Sequence, residues 1–125
     1  MSPKSYDLHG VRVFECAVDG PALCSVQDAV AVIGEALGHE VSLVVIPVSR
    51  FDPDFFKLRS GLAGEILQKF VNYRLRLAII GDFSEFAVKS APFRDFIYEA
   101  NQGNAVWFLA NIGEVERRLA SQESS

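Results

Sequence analysis

The chain has 125 residues, of which 50% are hydrophobic and 22% are charged, which is enough apolar surface for one core and therefore for one domain. Its formal net charge of −4 argues against duplex DNA as the main partner, because that role usually requires a basic face. No apolar run approaches the roughly 20 residues of a membrane-spanning helix. The first residues also lack the apolar stretch of a secretory signal, so we expect a soluble, cytoplasmic protein that binds no membrane.

The first predicted elements are a β-hairpin and a helix. The hairpin turns at His9 and Gly10, and Gly10 supplies the positive φ that a two-residue turn demands. Ser25 is followed three residues later by Asp28 and by apolar residues at helical spacing. This pattern indicates a capped helix that ends at Gly38.

Strands and helices alternate through the rest of the chain. Runs that are apolar on both faces predict buried strands at residues 41–46, 75–81 and 105–109. Helices are predicted from about Ser60 to Tyr73, from Ser84 to Ala100 and from Asn111 to about Leu119. Pro92 should split the second of these helices, because a proline inside a helix removes one hydrogen bond and clashes with the preceding turn.

The element order β-β-α-β-α-β-α-β-α predicts an α/β fold. Right-handed crossovers would build a single-layer, mostly parallel sheet with helices on both faces, and the first strand would lie antiparallel at the edge. No linker or repeat divides the chain. Residues 1–120 are therefore predicted to form a single domain, followed by a polar, frayed tail at residues 121–125.

Sharp catalytic and metal-binding motifs are absent from the sequence. It contains no GxxxxGK[ST] phosphate loop and no GxGxxG, HExxH or GxSxG pattern. The two histidines are isolated, and Cys16 and Cys24 lack the CxxC spacing of a redox or zinc motif. We therefore expect free thiols, no metal site and no cofactor, and we favour a binding module over an enzyme.

Four polar residues follow the predicted strands at their carboxyl ends. They are Asp52, Asp54, Asp82 and Asn111. Ligands of open α/β sheets bind outside the carboxyl ends of the strands, so these residues form a candidate ligand rim. The simpler interpretation is that they cap helices and close turns, which accounts for their residue types without a ligand.

The start of the helix predicted near Ser60 is a second candidate site. Backbone N–H groups and the helix dipole favour negative charge there, so Ser60, Arg59 and Gly61 form a candidate phospho-switch or anion site. An ordinary capping serine is the alternative. Gly61 and Gly64 would allow this helix to approach the sheet closely. Six of the 12 basic residues lie within residues 50–76, which predicts a local basic patch.

Much of the chain resembles a known family. The matching stretches are residues 55–70, 72–73, 77–84 and 94–101, with the sequences FFKLRSGLAGEILQKF, NY, LAIIGDFS and RDFIYEAN. They are similar to a family of small bacterial proteins known only as a domain of unknown function, number 4180. The resemblance covers nearly the whole chain and implies a bacterial source, but it implies no activity.

The element order is also similar to that of STAS domains, the fold of anti-sigma-factor antagonists. Those domains carry Asp-Ser-Ser-Gly-Leu at a strand-to-helix junction, and a partner kinase phosphorylates the second serine. Ser60, Gly61 and Leu62 stand at the corresponding place, whereas Leu58 and Arg59 replace the Asp-Ser pair. The resemblance implies a regulatory module in which Ser60 is the switch residue.

These observations leave three functions open. The first is a non-enzymatic regulatory or protein-interaction module of STAS-like architecture. The second is a small-molecule-binding domain or weak enzyme that uses the rim. The third is a homodimeric scaffold that associates through apolar surface at Phe55, Phe56 and Phe86. An open rim with converging polar side chains would favour the second function, and a flat rim would favour the first.

Overall fold

A five-stranded sheet forms the centre of the computed structural model, which describes residues 3–123. The strands are β1 (Lys4–Leu8), β2 (Val11–Glu15), β3 (Leu43–Pro47), β4 (Arg76–Ile80) and β5 (Val106–Leu109). They lie in the order β1-β2-β3-β4-β5, with β1 antiparallel to β2 and the other neighbours parallel. The predicted α/β class and the antiparallel edge strand are confirmed.

Helices and one long connector complete the described part of the chain. The helices are α1 (Val26–Gly38), α2 (Leu62–Asn72), α3 (Ser84–Lys89), α4 (Ala91–Gln102) and α5 (Ile112–Glu123). The connector, residues 48–61, joins β3 to α2 and contains 3-10 helices at Val48–Arg50, Pro53–Phe56 and Leu58–Ser60. No helix within residues 3–123 combines the length and the apolar character that crossing a bilayer requires.

The strand order decides which face of the sheet each helix covers. Because each parallel strand is added on the same side of the previous one, right-handed crossovers place α1 to α4 on one face. Ile46 and Ile79 belong to the core on that face. Within residues 3–123, α5 alone covers the opposite face, where Val115 and Leu119 pack with Trp107. Helices therefore lie on both faces, as predicted, but in unequal number.

Two local sequence signals produce the predicted structure. The hairpin turn has φ values of 49° at His9 and 82° at Gly10, the positive pair that matches the twist of the two strands. Pro92 lies in the first turn of α4, where its missing N–H interrupts no helical bond. Ser90 separates α3 from α4, and its side chain accepts a hydrogen bond from the Phe93 backbone. The predicted split is confirmed.

Helix α2 begins two residues later than predicted. Gly61 has a φ of 78°, a left-handed conformation that stops the helix from extending back to Ser60. A Cβ added at Gly61 or Gly64 would have no atom within 4 Å among its non-neighbouring residues, and both glycines are exposed. The prediction that these glycines bring the helix close to the sheet is therefore wrong, because neither faces the sheet.

A cation–aromatic stack holds α5 against the sheet. The guanidinium groups of Arg76 and Arg118 each lie 4.6 Å from the ring centre of Trp107. Arg76 also donates a hydrogen bond of 3.0 Å to Oε1 of Gln122, near the end of the helix. Residues 121–123 of the predicted frayed tail are helical. The final two residues of that predicted tail lie outside the described residues.

Candidate functional site

The carboxyl ends of β3 and β4 are neighbours in the sheet, since Pro47 pairs with Ile80. The segments that follow these strands, the connector and residues 81–90, therefore start side by side. This edge contains the candidate phospho-switch and three of the four rim residues predicted from the sequence. The fourth, Asn111, follows β5 at the same edge.

Ser60 lies at the end of the connector, two residues before the first residue of α2. Its Oγ donates a hydrogen bond of 2.9 Å to the Asp54 carbonyl and accepts one of 3.2 Å from the Leu62 backbone N–H. The residue is exposed. Ser60 is thus an accessible serine one residue before the N-cap of α2, Gly61, close to the position expected from the sequence, and its present contacts join the start of the helix to the connector.

The first two rim carboxylates belong to the connector. Oδ1 of Asp52 accepts a hydrogen bond of 2.9 Å from the Asp54 backbone, and Oδ2 lies 3.7 Å from Sγ of Cys24. The exposed carboxylate of Asp54 lies 3.6 Å from Nζ of Lys57. Both carboxylates therefore have partners within the connector, and Asp52 also contacts the segment before α1 through Cys24.

The other two rim residues act at helix starts. Oδ1 of Asp82 accepts a hydrogen bond of 2.9 Å from the Ser84 backbone. Bonds from the side chain and the backbone of Ser84 hold the pKa of Asp82 below its ordinary value. Oδ1 of Asn111 accepts a hydrogen bond of 3.0 Å from the Glu114 backbone. In the described residues, no hydrogen bond or ion pair links these two side chains to the rim carboxylates of the connector, so the geometry fits local capping.

A cleft of about 820 Å³ opens at this edge between the connector and the start of α4. The residues that line it include Phe56, Lys57, Arg59, Phe86, Lys89 and Ser90. On its floor, the rings of Phe56 and Phe86 stack with their centroids 3.9 Å apart and their planes at 13°. We call this feature the cationic cleft, because three of its lining residues are basic and none of those described is acidic.

The three cations of the cleft differ in their partners. Lys57 pairs with Asp54 at 3.6 Å, and Lys89 pairs with Glu85 at 2.9 Å. Within residues 3–123, no carboxylate forms an ion pair with Arg59. Arg59 therefore carries an exposed positive charge into the cleft without an anionic partner.

Sequence reasoning named Arg59 but missed the cleft around it. Phe86 and Lys89 lie far from the connector in the sequence, and only the pairing of β3 with β4 brings the two segments together. Phe55, Phe56 and Phe86 were expected to form apolar surface for a homodimer, and the expected exposure is wrong for Phe55 and Phe56, whereas Phe86 is half-buried. The rings of Phe55 and Phe56 are buried, and they pack edge-to-face at 5.3 Å in the core.

The predicted basic patch of residues 50–76 is not one surface, because Arg50 is buried at 8% exposure. Its Nε donates to the Pro21 carbonyl at 2.8 Å and its Nη1 donates to the Ala17 carbonyl at 2.7 Å. Gly20 packs against the guanidinium group, where an added Cβ would lie 2.6 Å from Cζ. Arg50 therefore ties the loop after β2 to the connector, a role that no sequence signal indicated.

Both cysteines are free, and the pKa of each thiol lies above its ordinary value. Burial raises the pKa of the Cys16 thiol to about 11. Desolvation and the neighbouring Asp52 carboxylate raise the pKa of Cys24, which is exposed. Both shifts favour the protonated, less nucleophilic thiol. In the part of the chain that the structure describes, no three His, Cys, Asp or Glu side chains are grouped so that they could hold a metal ion.

A comparison with known protein families finds one match, and the matched range contains the whole candidate site. Residues 8–119 match the model of a family described as a domain of unknown function, DUF4180. This range includes the connector, Ser60 and every residue named above as lining the cationic cleft. Comparisons with curated proteins and with solved structures found no match.

Proposed function

The chain belongs to the DUF4180 family, a domain of unknown function, and we propose that it acts as a non-enzymatic interaction module whose protein partner binds in the cationic cleft. The observation that carries this proposal is the cleft, with stacked aromatic rings beneath Lys57, Arg59 and Lys89. Ligands of open α/β sheets bind at the same edge. Because the whole chain carries a net charge of −4, a locally cationic cleft favours a negatively charged partner.

The alternative function, a small-molecule site or weak enzyme at the rim, has less support from the geometry. Asp52 and Asp82 each accept a hydrogen bond from a backbone N–H two residues later. Asn111 accepts one from the backbone three residues later. Side chains that share a substrate or a proton must face a common point. Asp82 and Asn111 instead bind the backbone that follows them, and the second oxygen of Asp52 lies near Cys24 and not near another rim residue.

Ser60 is the proposed switch of this module. A phosphate on Ser60 would add a charge of up to about −2 beside Arg59, which forms no ion pair in the described part of the chain. It would also remove the proton that Oγ now donates to the Asp54 carbonyl. Both changes act beside the opening of the cationic cleft and do not alter the buried core. Phosphorylation of Ser60 is therefore expected to oppose the binding of an anionic partner.

A capture experiment tests the interaction module. The wild-type protein, the double variant Arg59→Glu with Lys89→Glu, and the control Arg12→Glu with Arg74→Glu are immobilised and exposed to lysate from the organism that encodes the chain. Both double variants change the net charge equally. The control residues are exposed at the amino ends of the strands, whereas the cleft lies at their carboxyl ends. Partners retained by the wild type and the control but lost by the cleft variant support the proposal. Identical partner sets for all three proteins would contradict it.

The switch is tested separately with two variants of one residue. Ser60→Ala removes the hydroxyl without adding charge, so it should capture the same partners as the wild type. Ser60→Asp adds a negative charge beside Arg59 and should capture less. If both variants capture partners as the wild type does, Ser60 has only a structural role, and the interaction module stands without a switch.

A further inference from the structure

The floor of the cationic cleft consists of packed aromatic rings. Phe56 is 5% exposed, stacks on Phe86 and meets Phe93 edge-to-face at 5.5 Å. Phe86 lies on the short helix α3 and is half-buried, so part of its ring remains at the cleft. A ring that enters from outside would extend an existing set of aromatic contacts without opening the core.

The opening of the cationic cleft carries cations that a ligand can bind with little loss of protein stability. The side chains of Lys57 and Lys89 are 69% and 70% exposed. Their partners, Asp54 and Glu85, lie three and four residues away in the sequence and are also exposed. Surface pairs of this kind contribute little to stability, so an incoming carboxylate can replace either partner. Arg59 has no such partner among residues 3–123, and its planar guanidinium can bind a carboxylate through two parallel hydrogen bonds.

We propose that the partner presents an acidic peptide segment that carries an aromatic side chain. The ring packs against Phe86 on the floor, and flanking carboxylates pair with Arg59 and Lys89. This inference rests on the proposed function and specifies the chemistry of the partner. Clusters of cations that bind acidic motifs are a recurring mode of peptide recognition.

A protein segment fits this cleft better than a small acid does. Sites for small molecules enclose most of the ligand surface. Here the cations stand on exposed side chains around a cleft that is open to solvent. A chain that crosses the opening can meet Lys57 and Lys89 on different walls at once, because the connector provides one and α3 the other.

Selection from a random peptide library tests the chemistry proposed for the partner. Phage-displayed peptides are selected on the wild-type protein and depleted on the double variant Arg59→Gln with Lys89→Gln. Both replaced side chains are exposed, and thermal unfolding checks that the variant keeps its fold. The expected result is enrichment of peptides in which Asp or Glu residues flank a Phe, Tyr or Trp.

Fluorescence anisotropy then measures the binding of the most enriched peptide. The cleft variant should bind about tenfold more weakly, and added salt should weaken wild-type binding further. A matched control, Arg12→Gln with Arg74→Gln, should bind as the wild type does. Peptide versions with Gln in place of the acidic residues, or Ala in place of the aromatic residue, should each lose about tenfold.

The outcomes separate this inference from the function on which it rests. Enriched peptides that depend on Arg59 and Lys89 but lack acidic residues would overturn the acidic partner and leave the interaction module in place. A selection without any peptide that depends on these two residues would overturn both. Phenylacetate, which combines one ring with one carboxylate, represents small acids. If it displaced the labelled peptide as well as unlabelled peptide does, a small-acid site would replace the proposed docking surface.

Discussion

Two arginines of the connector differ in almost every physical respect. Arg50 is 8% exposed and donates hydrogen bonds to the carbonyls of Pro21 and Ala17. Arg59 is exposed, lines the cationic cleft and has no ion-pair partner in residues 3–123. The connector therefore contains a buried arginine, Arg50, that stabilises the fold, and an exposed arginine, Arg59, that forms no ion pair within the described residues.

This difference indicates how a basic residue on an acidic chain should be interpreted. A buried guanidinium must have its hydrogen bonds satisfied internally, because an unsatisfied buried charge costs several kcal/mol. An exposed guanidinium beside apolar rings has no such requirement, and it is available to a partner. The position of each charge relative to the core, and not its position in the sequence, separates the structural role of Arg50 from the binding role that we propose for Arg59.

The largest effect on the free energy of unfolding is expected in the central sheet, which positions the connector and both of its arginines. Ile79 in β4 is fully buried. Ile79→Ala should lower the free energy of unfolding by about 2 to 5 kcal/mol, because the smaller side chain leaves a cavity. A urea titration measures this change. A loss below about 0.5 kcal/mol, which is typical of surface positions, would contradict the position of β4 in the core.

The comparison between the two arginines predicts unequal effects of one substitution. Arg50→Met should lower the free energy of unfolding by about 1.5 to 3 kcal/mol, because two carbonyls lose a charged donor. Arg59→Met should change it by less than about 0.5 kcal/mol, as surface substitutions usually do. Urea titrations of both variants measure the difference. Equal losses in the free energy of unfolding would contradict a structural role that belongs to Arg50 and not to Arg59.

Signals confined to a few neighbouring residues made much of the fold predictable. The turn at His9 and Gly10, the cap at Ser25 and the split at Pro92 each depend on the chemistry of a short segment. The burial of Arg50 depends on carbonyls 29 and 33 residues away in the sequence. No periodicity or motif reports such a contact.

The cationic cleft was unpredictable for the same reason. Its floor requires Phe56 and Phe86 to meet, and that contact follows from the order of the strands and not from either segment alone. Ser60 was predictable because it lies two residues before a helix whose start is indicated by a short stretch of sequence. The sequence therefore identified a residue next to the candidate site before the site itself could be recognised.

Two glycines beside the cleft should respond in opposite directions to the same substitution. Gly64→Ala should raise the free energy of unfolding by about 0.5 to 1 kcal/mol, because alanine is the better helix former and has open space there. Gly61→Ala should lower it by about 1 kcal/mol, because a φ of 78° strains any residue with a Cβ. Thermal or urea unfolding measures both changes. Effects of the same sign would show that α2 does not begin where the structure has it.

The smallest effect is expected at the carboxylate of Asp82. Hydrogen bonds from Ser84 lower its pKa in the folded protein, so its contribution to stability is present above the unfolded pKa. That contribution is lost as the pH falls through the folded pKa. Ser84→Ala should raise the pKa of Asp82 toward its ordinary value, which an NMR titration of the carboxyl carbon measures. An unchanged pKa would assign the shift to another cause.

The central claim is that the exposed Arg59, and not the buried Arg50, marks the binding site. Chemical-shift mapping tests this claim most directly. Isotope-labelled protein is titrated with the acidic, aromatic peptide obtained by selection, and backbone amide signals are followed to saturation. We expect the largest changes in residues 57–59 and 86–90, with little change in residues 17–21 and at Arg50. Largest changes around Arg50 or on α5 would contradict the claim.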